Sequence, residues 1–312
     1  MKQTILTQAF RGVSTPIFPS YAEDILSLSA RIEQGMRDAI SYLTCQLRIE
    51  VIRAGTHRAI VVTGWNDDTP SRHAIARYLV GLIACAIDAA LDIRAQLANT
   101  PEDRAEILQN VLAKVGTTDD CLTRDQKEDE RNPWIAEGIW HLCLTVAAQR
   151  QDLHPMGTIV ALDYAHVVAK DHGLDVAAIY ETQQGFGLTL VESKAYRNNP
   201  NAAISQAVEF FKQVDSGKHA LRIRQAVQIM RTALPPERQE QISGSFWKQT
   251  RSYVPNPHYD AAFHPDWSNT RSSFRALQPD PNNIVVMPHC INGFDEFFDG
   301  VAEAMRDFAR SL

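Results

Sequence analysis

Asp175, Glu192 and Lys194 are the residues whose types and spacing point to chemistry. The run LTLVESKAY, 188–196, reads as a strand. Successive strand side chains point to opposite faces, so Leu188, Leu190, Glu192 and Lys194 share one face. Two charges continue a face that begins with two leucines, and burying them is costly unless they are paired. Either the strand runs out into solvent after Leu190, or the charges surround a shared ligand. Upstream, DVAAIYE, 175–181, reads as a second strand, and the intervening ETQQGFG suits a hairpin loop. If Ile179 pairs with Leu188, Asp175 faces Glu192 on the side that carries Lys194. Carboxylates at a cross-strand distance of about 5 Å repel unless a cation sits between them. Hard oxygen donors so placed suit magnesium or manganese. Such an ion lowers the pKa of a bound water, while Lys194 would stabilise developing negative charge. A slip of one residue in register would destroy the arrangement.

The elements that must position these residues follow from pattern. Helical spacing runs through Ile25, Leu28, Ile32 and Met36 within 21–47. LRIEVIRA and RAIVVTGW flank Gly55-Thr56 as a hairpin. A long helix is expected over 69–98, capped by Thr69 or Ser71 with Pro70 near its start, and another over about 101–115. The polar, charged stretch 116–132 suggests a domain boundary. A helix then opens with Asn132 as N-cap and Pro133 in its first turn. TIVALDYA, 158–165, reads as a further strand. NPNAAISQAVEFFKQV and HALRIRQAVQIMRTAL read as helices, and Pro235-Pro236 ends the second. The segment 251–283, rich in Pro, Asn, Asp and aromatics, reads as a long irregular loop. NIVVMPH is a late strand and FDEFFDGVAEAMRDFARSL a closing amphipathic helix. The expected class is α/β: a mostly helical module with a β-hairpin over 1–130, regulatory or partner-docking, then an α/β domain over 131–312.

In the helix after the second strand, Gln206 and Phe210 lie four apart on one face. An Asp, an E-x-K strand and a helix bearing Q-x-x-x-aromatic together resemble the PD-(D/E)xK nuclease superfamily, including the helical glutamine of its RecB-like branch. The family's first-motif proline is replaced here by Leu174. A narrower resemblance joins WIAEGIW, HGLDVAAIY and LTLVESKAYRNNPNAAISQAVEFF to the nuclease subunit of the Hachiman anti-phage system, over about residues 133–235. The resemblance implies a PD-(D/E)xK-like core and a metal-dependent deoxyribonuclease. Its metal site would comprise Asp175 and Glu192, with Glu137 as an additional magnesium or manganese ligand. Lys194 would be catalytic and Gln206 would position a ligand or the lysine amine. It also implies DNA as substrate and a helicase as partner. The alternative is a nuclease-fold binding subunit whose metal site is idle or blocked.

Composition narrows the other classes. The chain has 312 residues, 45% of them hydrophobic, and a formal net charge of −6, which argues against indiscriminate nucleic-acid binding. The charge is uneven: 101–130 holds nine acidic and four basic side chains, 194–251 ten basic and four acidic. Lys212, Lys218, Arg222, Arg224 and Arg231 are therefore the nearest source of phosphate contacts, with Lys218 and Arg222 favoured as a pair by helical spacing. Five scattered cysteines form no C-x-x-C pair, which points to a reducing compartment. The N-terminal MKQTILTQAFRGV lacks the apolar core of a signal peptide, and the expected location is cytoplasmic. Walker A, H-E-x-x-H and G-x-S-x-G motifs are absent from the sequence, against an ATPase, a zincin and an α/β-hydrolase. His141, His264 and His289 have no partner at metal-ligand spacing and are read as structural.

Overall fold

The computed structural model describes residues 26–65, 68–165 and 174–312. The N-terminal MKQTILTQAFRGV, and residues 21–25 of the first expected helix with Ile25, lie outside the described residues. In chain order come α1 (Leu28–Gln46), β1 (Arg48–Ala54), β2 (His57–Thr63), α2 (Thr69–Ile83), α3 (Pro101–Val115), α4 (Arg124–Gln126) and α5 (Asn132–Ala147). There follow β3 (Thr158–Leu162), β4 (Val176–Thr182), β5 (Gly185–Ala195), α6 (Pro200–Asp215), α7 (Ala220–Thr232) and α8 (Pro236–Gln239). β6 (Arg251–Asp260), β7 (Val285–Val286), β8 (His289–Ile291) and α9 (Phe294–Ser311) complete the chain.

Two sheets form. The smaller has the order β1-β2-β7; the larger, β3-β4-β5-β6-β8, is antiparallel at its β3 end and parallel from β5 onward. Helices cover both faces of the larger sheet, making this an α/β protein. Leu188 and Leu190 enter a core with Ile204, Phe211, Ile223 and Met230 of α6 and α7. Val176 and Val191 enter the opposite core, with α1, α2, α3, α5 and α9. That second core runs across the polar stretch 116–132: Leu28, Met36 and Leu79 pack in one cluster with Ile139, Phe297 and Met305. Strands covered on both sides carry near-continuous apolar runs. Among the described residues, no helix is long and apolar enough to cross a membrane.

Three expectations need correction. The helix expected over 69–98 ends at Ile83 and is capped by Asp68, whose side chain accepts from the Ser71 N–H. Cys85 adopts φ +50°, the Cys85 N–H bonds Leu82 O and the Ala86 N–H bonds Gly81 O, a left-handed helix stop. Beyond it Ala86, Ile87 and Ala95 enter the core, and Ala89 O accepts from the Leu162 N–H of β3 at 3.0 Å.

Asn132 is not an N-cap. Helical chain begins after Thr123, which forms a reciprocal capping box with Gln126, and continues through a wide turn over Lys127–Arg131 into α5. The Asn132 N–H reaches back five residues to Lys127 O. This π-type turn makes room for the Pro133 ring, which would clash with the preceding turn of a regular α-helix.

The segment expected as a loop from 251 opens with the ten-residue strand β6, buried almost throughout. Pro255 O accepts from Met287 N–H, on the side away from β5. Pro257 has the same parity, so both missing donors face the gap between β7 and β8 and leave the ladder to β5 intact.

Candidate active site

The hairpin β4–β5 turns through Gln183-Gln184 and pairs Ile179 with Leu188 and Val176 with Val191. One step further, this register sets Asp175 opposite Glu192. Asp175 Oδ2 accepts the Ser193 N–H at 2.7 Å, which ties the start of β4 to β5. Lys194 Nζ lies 2.7 Å from Glu192 Oε1 and 3.4 Å from Asp175 Oδ2, between the two carboxylates. The ammonium also donates to Ser193 O at 3.1 Å. The charges on the leucine face thus end against one another rather than in solvent.

Asp175, Glu192, Lys194, Gln206 and Glu137 all line one cavity of about 1010 Å³. β5 provides its floor. Gln206 and Phe210 reach it from one face of α6, and Glu137 from the second turn of α5. Helix α6 is fixed by Asn199, whose side chain caps Ala202 N–H, and by Phe211 stacked on Tyr253 of β6 at 4.3 Å. At the far end of α6, Asp215 bonds the buried Arg251 at 2.6 Å.

Electrostatics in the cavity are crowded. Burial, with Asp175 beside it, pushes the Glu192 carboxyl up to about 8. Burial and the same neighbour push Glu137 up to about 9. Burial works against the Lys194 charge, but Asp175 and Glu192 outweigh it and hold the ammonium above its ordinary range. Glu192 is 5% exposed, and its Oε2 is buried without a hydrogen-bond partner.

Among the described residues, no three carboxylate, histidine or cysteine side chains already converge on a single metal position. Lys194 holds the place between Asp175 and Glu192 where a cation would sit. Oxygen donors alone, a partnerless Glu192 Oε2 and carboxyls forced toward the protonated form all fit a hard divalent cation once the lysine swings aside.

Sequence reasoning missed several cavity residues. Arg124 and Asp129 come from the turns before α5, Tyr196 and Arg197 from the end of β5, and His219 from the start of α7. It also missed a polar brace behind β5, where Ser193 Oγ bonds Asn256 Oδ1 at 3.0 Å and meets His258 Nε2 at 3.1 Å. No local signal marks these partners, because they depend on β6 lying parallel to β5. Of the five basic residues expected near a phosphate path, Lys218 lines the cavity, and it sits in the turn before α7 rather than on the helix. Lys212 is paired with Glu209 at 2.6 Å, and Arg231 donates to Gln239 O. His141 is a buried packing residue bonded to Tyr78 and Asp163 O, and His289 packs edge-on or tilted among Trp65, Trp140 and His258. Neither a protein-family model nor a curated protein matches this chain.

Proposed function

We propose that this protein is a metal-dependent deoxyribonuclease of the PD-(D/E)xK type, the effector of an anti-phage defence system working with a helicase partner. The observation that carries the reading is the convergence of Asp175, Glu192 and Lys194 with Glu137 and Gln206 around one cavity. Asp175 and Glu192, with Glu137, would hold magnesium or manganese. When bound, the ion supplies a more acidic water and charge neutralisation at phosphate.

The chain's own groups set the rest. Lys194 is charged at neutral pH, so it stabilises developing negative charge on a phosphoryl oxygen and does not act as a base. Ser193 N–H orients the Asp175 carboxylate, and the Asn256 and His258 brace holds that stretch of β5 in place. Gln206, exposed on α6 and facing the cavity, is placed to hydrogen-bond substrate or the displaced lysine amine. Without a cation, Glu137 and Glu192 retain protons at neutral pH.

The test is hydrolysis of plasmid and linear DNA with magnesium, with the helicase partner supplied where needed, comparing the native chain with Glu192→Ala. Loss of cutting in the variant is expected. Cutting at the native rate by Glu192→Ala would end the nuclease reading. A Glu192-insensitive, DNA-binding but non-hydrolytic protein would instead favour a nuclease-fold binding subunit with an idle site.

A further inference from the structure

We propose that Arg131 is a positioning residue for the cation site: gripped by Asp299 of α9, it fixes the roll of α5 so that Glu137 faces Asp175 and Glu192. The proposal deepens the nuclease reading and rests on it for Glu137 as a ligand of the ion.

The first observation is that α5 has almost no polar side to orient it. Of its 16 residues, Pro133 and Glu137 alone escape full burial. A helix that is apolar all round gains from burial in any orientation, because the hydrophobic effect is non-directional. Burial therefore distinguishes poorly between rolls of α5. A hydrogen-bonded ion pair, which has a direction, distinguishes them well.

The second observation is the grip. Arg131, the last residue of the wide turn before α5, is 2% exposed. Its Nη2 lies 2.5 Å from Asp299 Oδ1, its Nη1 lies 3.7 Å from Asp119 Oδ1, and its Nε donates to Asn132 Oδ1 at 3.0 Å. Lys127, at the other end of the same turn, reaches Asp299 Oδ1 at 3.2 Å. Both ends of the turn are thus tied to one carboxylate. Arg306, seven residues after Asp299 and so on the same side of α9, holds Asp119 at 2.9 Å. Helix α9 is itself anchored by Phe294, Phe297, Phe298 and Met305 in the core.

The third observation is where the grip leads. Asn132, which accepts the Arg131 Nε–H, lines the cavity together with Pro133 and Glu137. At 3.6 residues per turn, the side chains of Arg131 and Glu137 leave the helix about 120° apart. One meets α9 and the other meets the floor, where Asp175, Lys194 and Glu192 all act on the Glu137 carboxyl. A roll by one residue position, about 100°, would put Ala136 or Gly138 in its place. A buried guanidinium that loses its carboxylate is costly and seeks another. Without Asp299, Arg131 is left with Asp119, already held by Arg306, and turning toward it moves the start of α5.

The experiment is calorimetric titration of manganese into the full chain, comparing the native protein with Asp299→Asn, Glu137→Gln and the two combined. Asp299→Asn is expected to weaken manganese binding about tenfold. Arg131→Lys, which keeps the charge but loses the planar fork, should weaken it by a smaller factor. Once Glu137→Gln is present, Asp299→Asn should cost less than about twofold more, because the carboxyl it helps to aim is gone. A denaturation curve on each variant separates aim from stability. Asp299→Asn, at a carboxylate 32% exposed, keeps the test decisive if Arg131→Lys does not fold. No manganese binding, a lowered midpoint with unchanged affinity, or equal losses with and without Glu137 would each overturn the proposal. The nuclease reading fails separately: coupled manganese binding without Glu192-dependent hydrolysis would sink that reading alone. Glu192-dependent hydrolysis by a chain whose manganese affinity ignores Asp299 would sink this proposal alone.

Discussion

The Lys194 ammonium lies 2.7 Å from Glu192 Oε1, on the same face of β5 and two residues further along it. A lysine therefore occupies the cation position of its own acidic site. Replacing it should have two opposed effects. Lys194→Met leaves buried carboxylates uncompensated and should cost about 2–4 kcal/mol of metal-free stability near pH 8. The loss should shrink toward pH 6, where Glu192 and Glu137 take up protons instead. The same variant should bind magnesium or manganese more tightly, because no internal cation competes. Denaturant melts and calorimetric titration read both effects; unchanged metal affinity would show that the lysine does not compete with the ion.

Stability without metal should fall as pH rises through the range set by the two raised carboxyls. Glu192 titrates near 8 and Glu137 near 9 in the folded chain, against about 4.3 when unfolded. Between those limits the folded state binds more protons than the unfolded state, so raising pH favours unfolding, by at most about 1.4 kcal/mol per pH unit from one group. Buried neutral His141, His154 and His289, with lowered pKa values, act oppositely, losing stability as pH falls below about 6.5. Glu192→Gln removes one carboxyl and should flatten the fall in stability between about pH 4.3 and 8, and below about pH 6.5, where that carboxyl opposes the histidines, it should steepen the loss on acidification. Parallel profiles for the two proteins would refute the raised Glu192 value.

Metal binding should release protons at pH 7, since the carboxyls must ionise to coordinate. Titration of manganese into the full chain, in buffers of differing ionisation enthalpy, should show release of about one proton or more per ion. Glu192→Gln should reduce both release and affinity. Binding with no buffer dependence would place the ion away from Glu192 and Glu137.

The catalytic variants should rank by their place on the cavity floor. Asp175→Ala and Glu192→Ala should abolish hydrolysis. Glu137→Ala and Gln206→Ala should lower it by a smaller factor, because they enter from α5 and α6 rather than from the hairpin. Native rates for Glu137→Ala or Gln206→Ala would remove that residue from the machinery.

The helix that carries Glu137 begins at Thr123, so Thr123→Ala should destabilise the chain by about 1 kcal/mol through loss of the capping box. A chemical denaturation curve measures it directly. No change in midpoint would mean that the turns before α5 add nothing to its stability.

The register of the hairpin was only conditional in the amino-acid order, because β4 and β5 are apolar on both faces; the structure pairs Ile179 with Leu188, which sets Asp175 opposite Glu192. Its two strands and the turn between them were legible, because local propensity marks them. Helices α3, α6 and α7 were readable for the same reason, from caps, prolines and 3.6-residue spacing. Other features waited on tertiary contacts. α2 stops at Ile83, where Cys85 takes a left-handed turn and the chain beyond packs Ala86, Ile87 and Ala95 into the same core, and apolar spacing looks alike in both cases. β6 hides behind Pro255 and Pro257, whose missing donors are harmless only because of which strand lies on each side. Glu137 and Gln206 belong to helices separated from the hairpin, and nothing in their own neighbourhoods says which way those helices pack. Their convergence on one cavity is decided by the two cores that clamp the sheet. Folding through distant contacts placed them where local sequence carries no record of it.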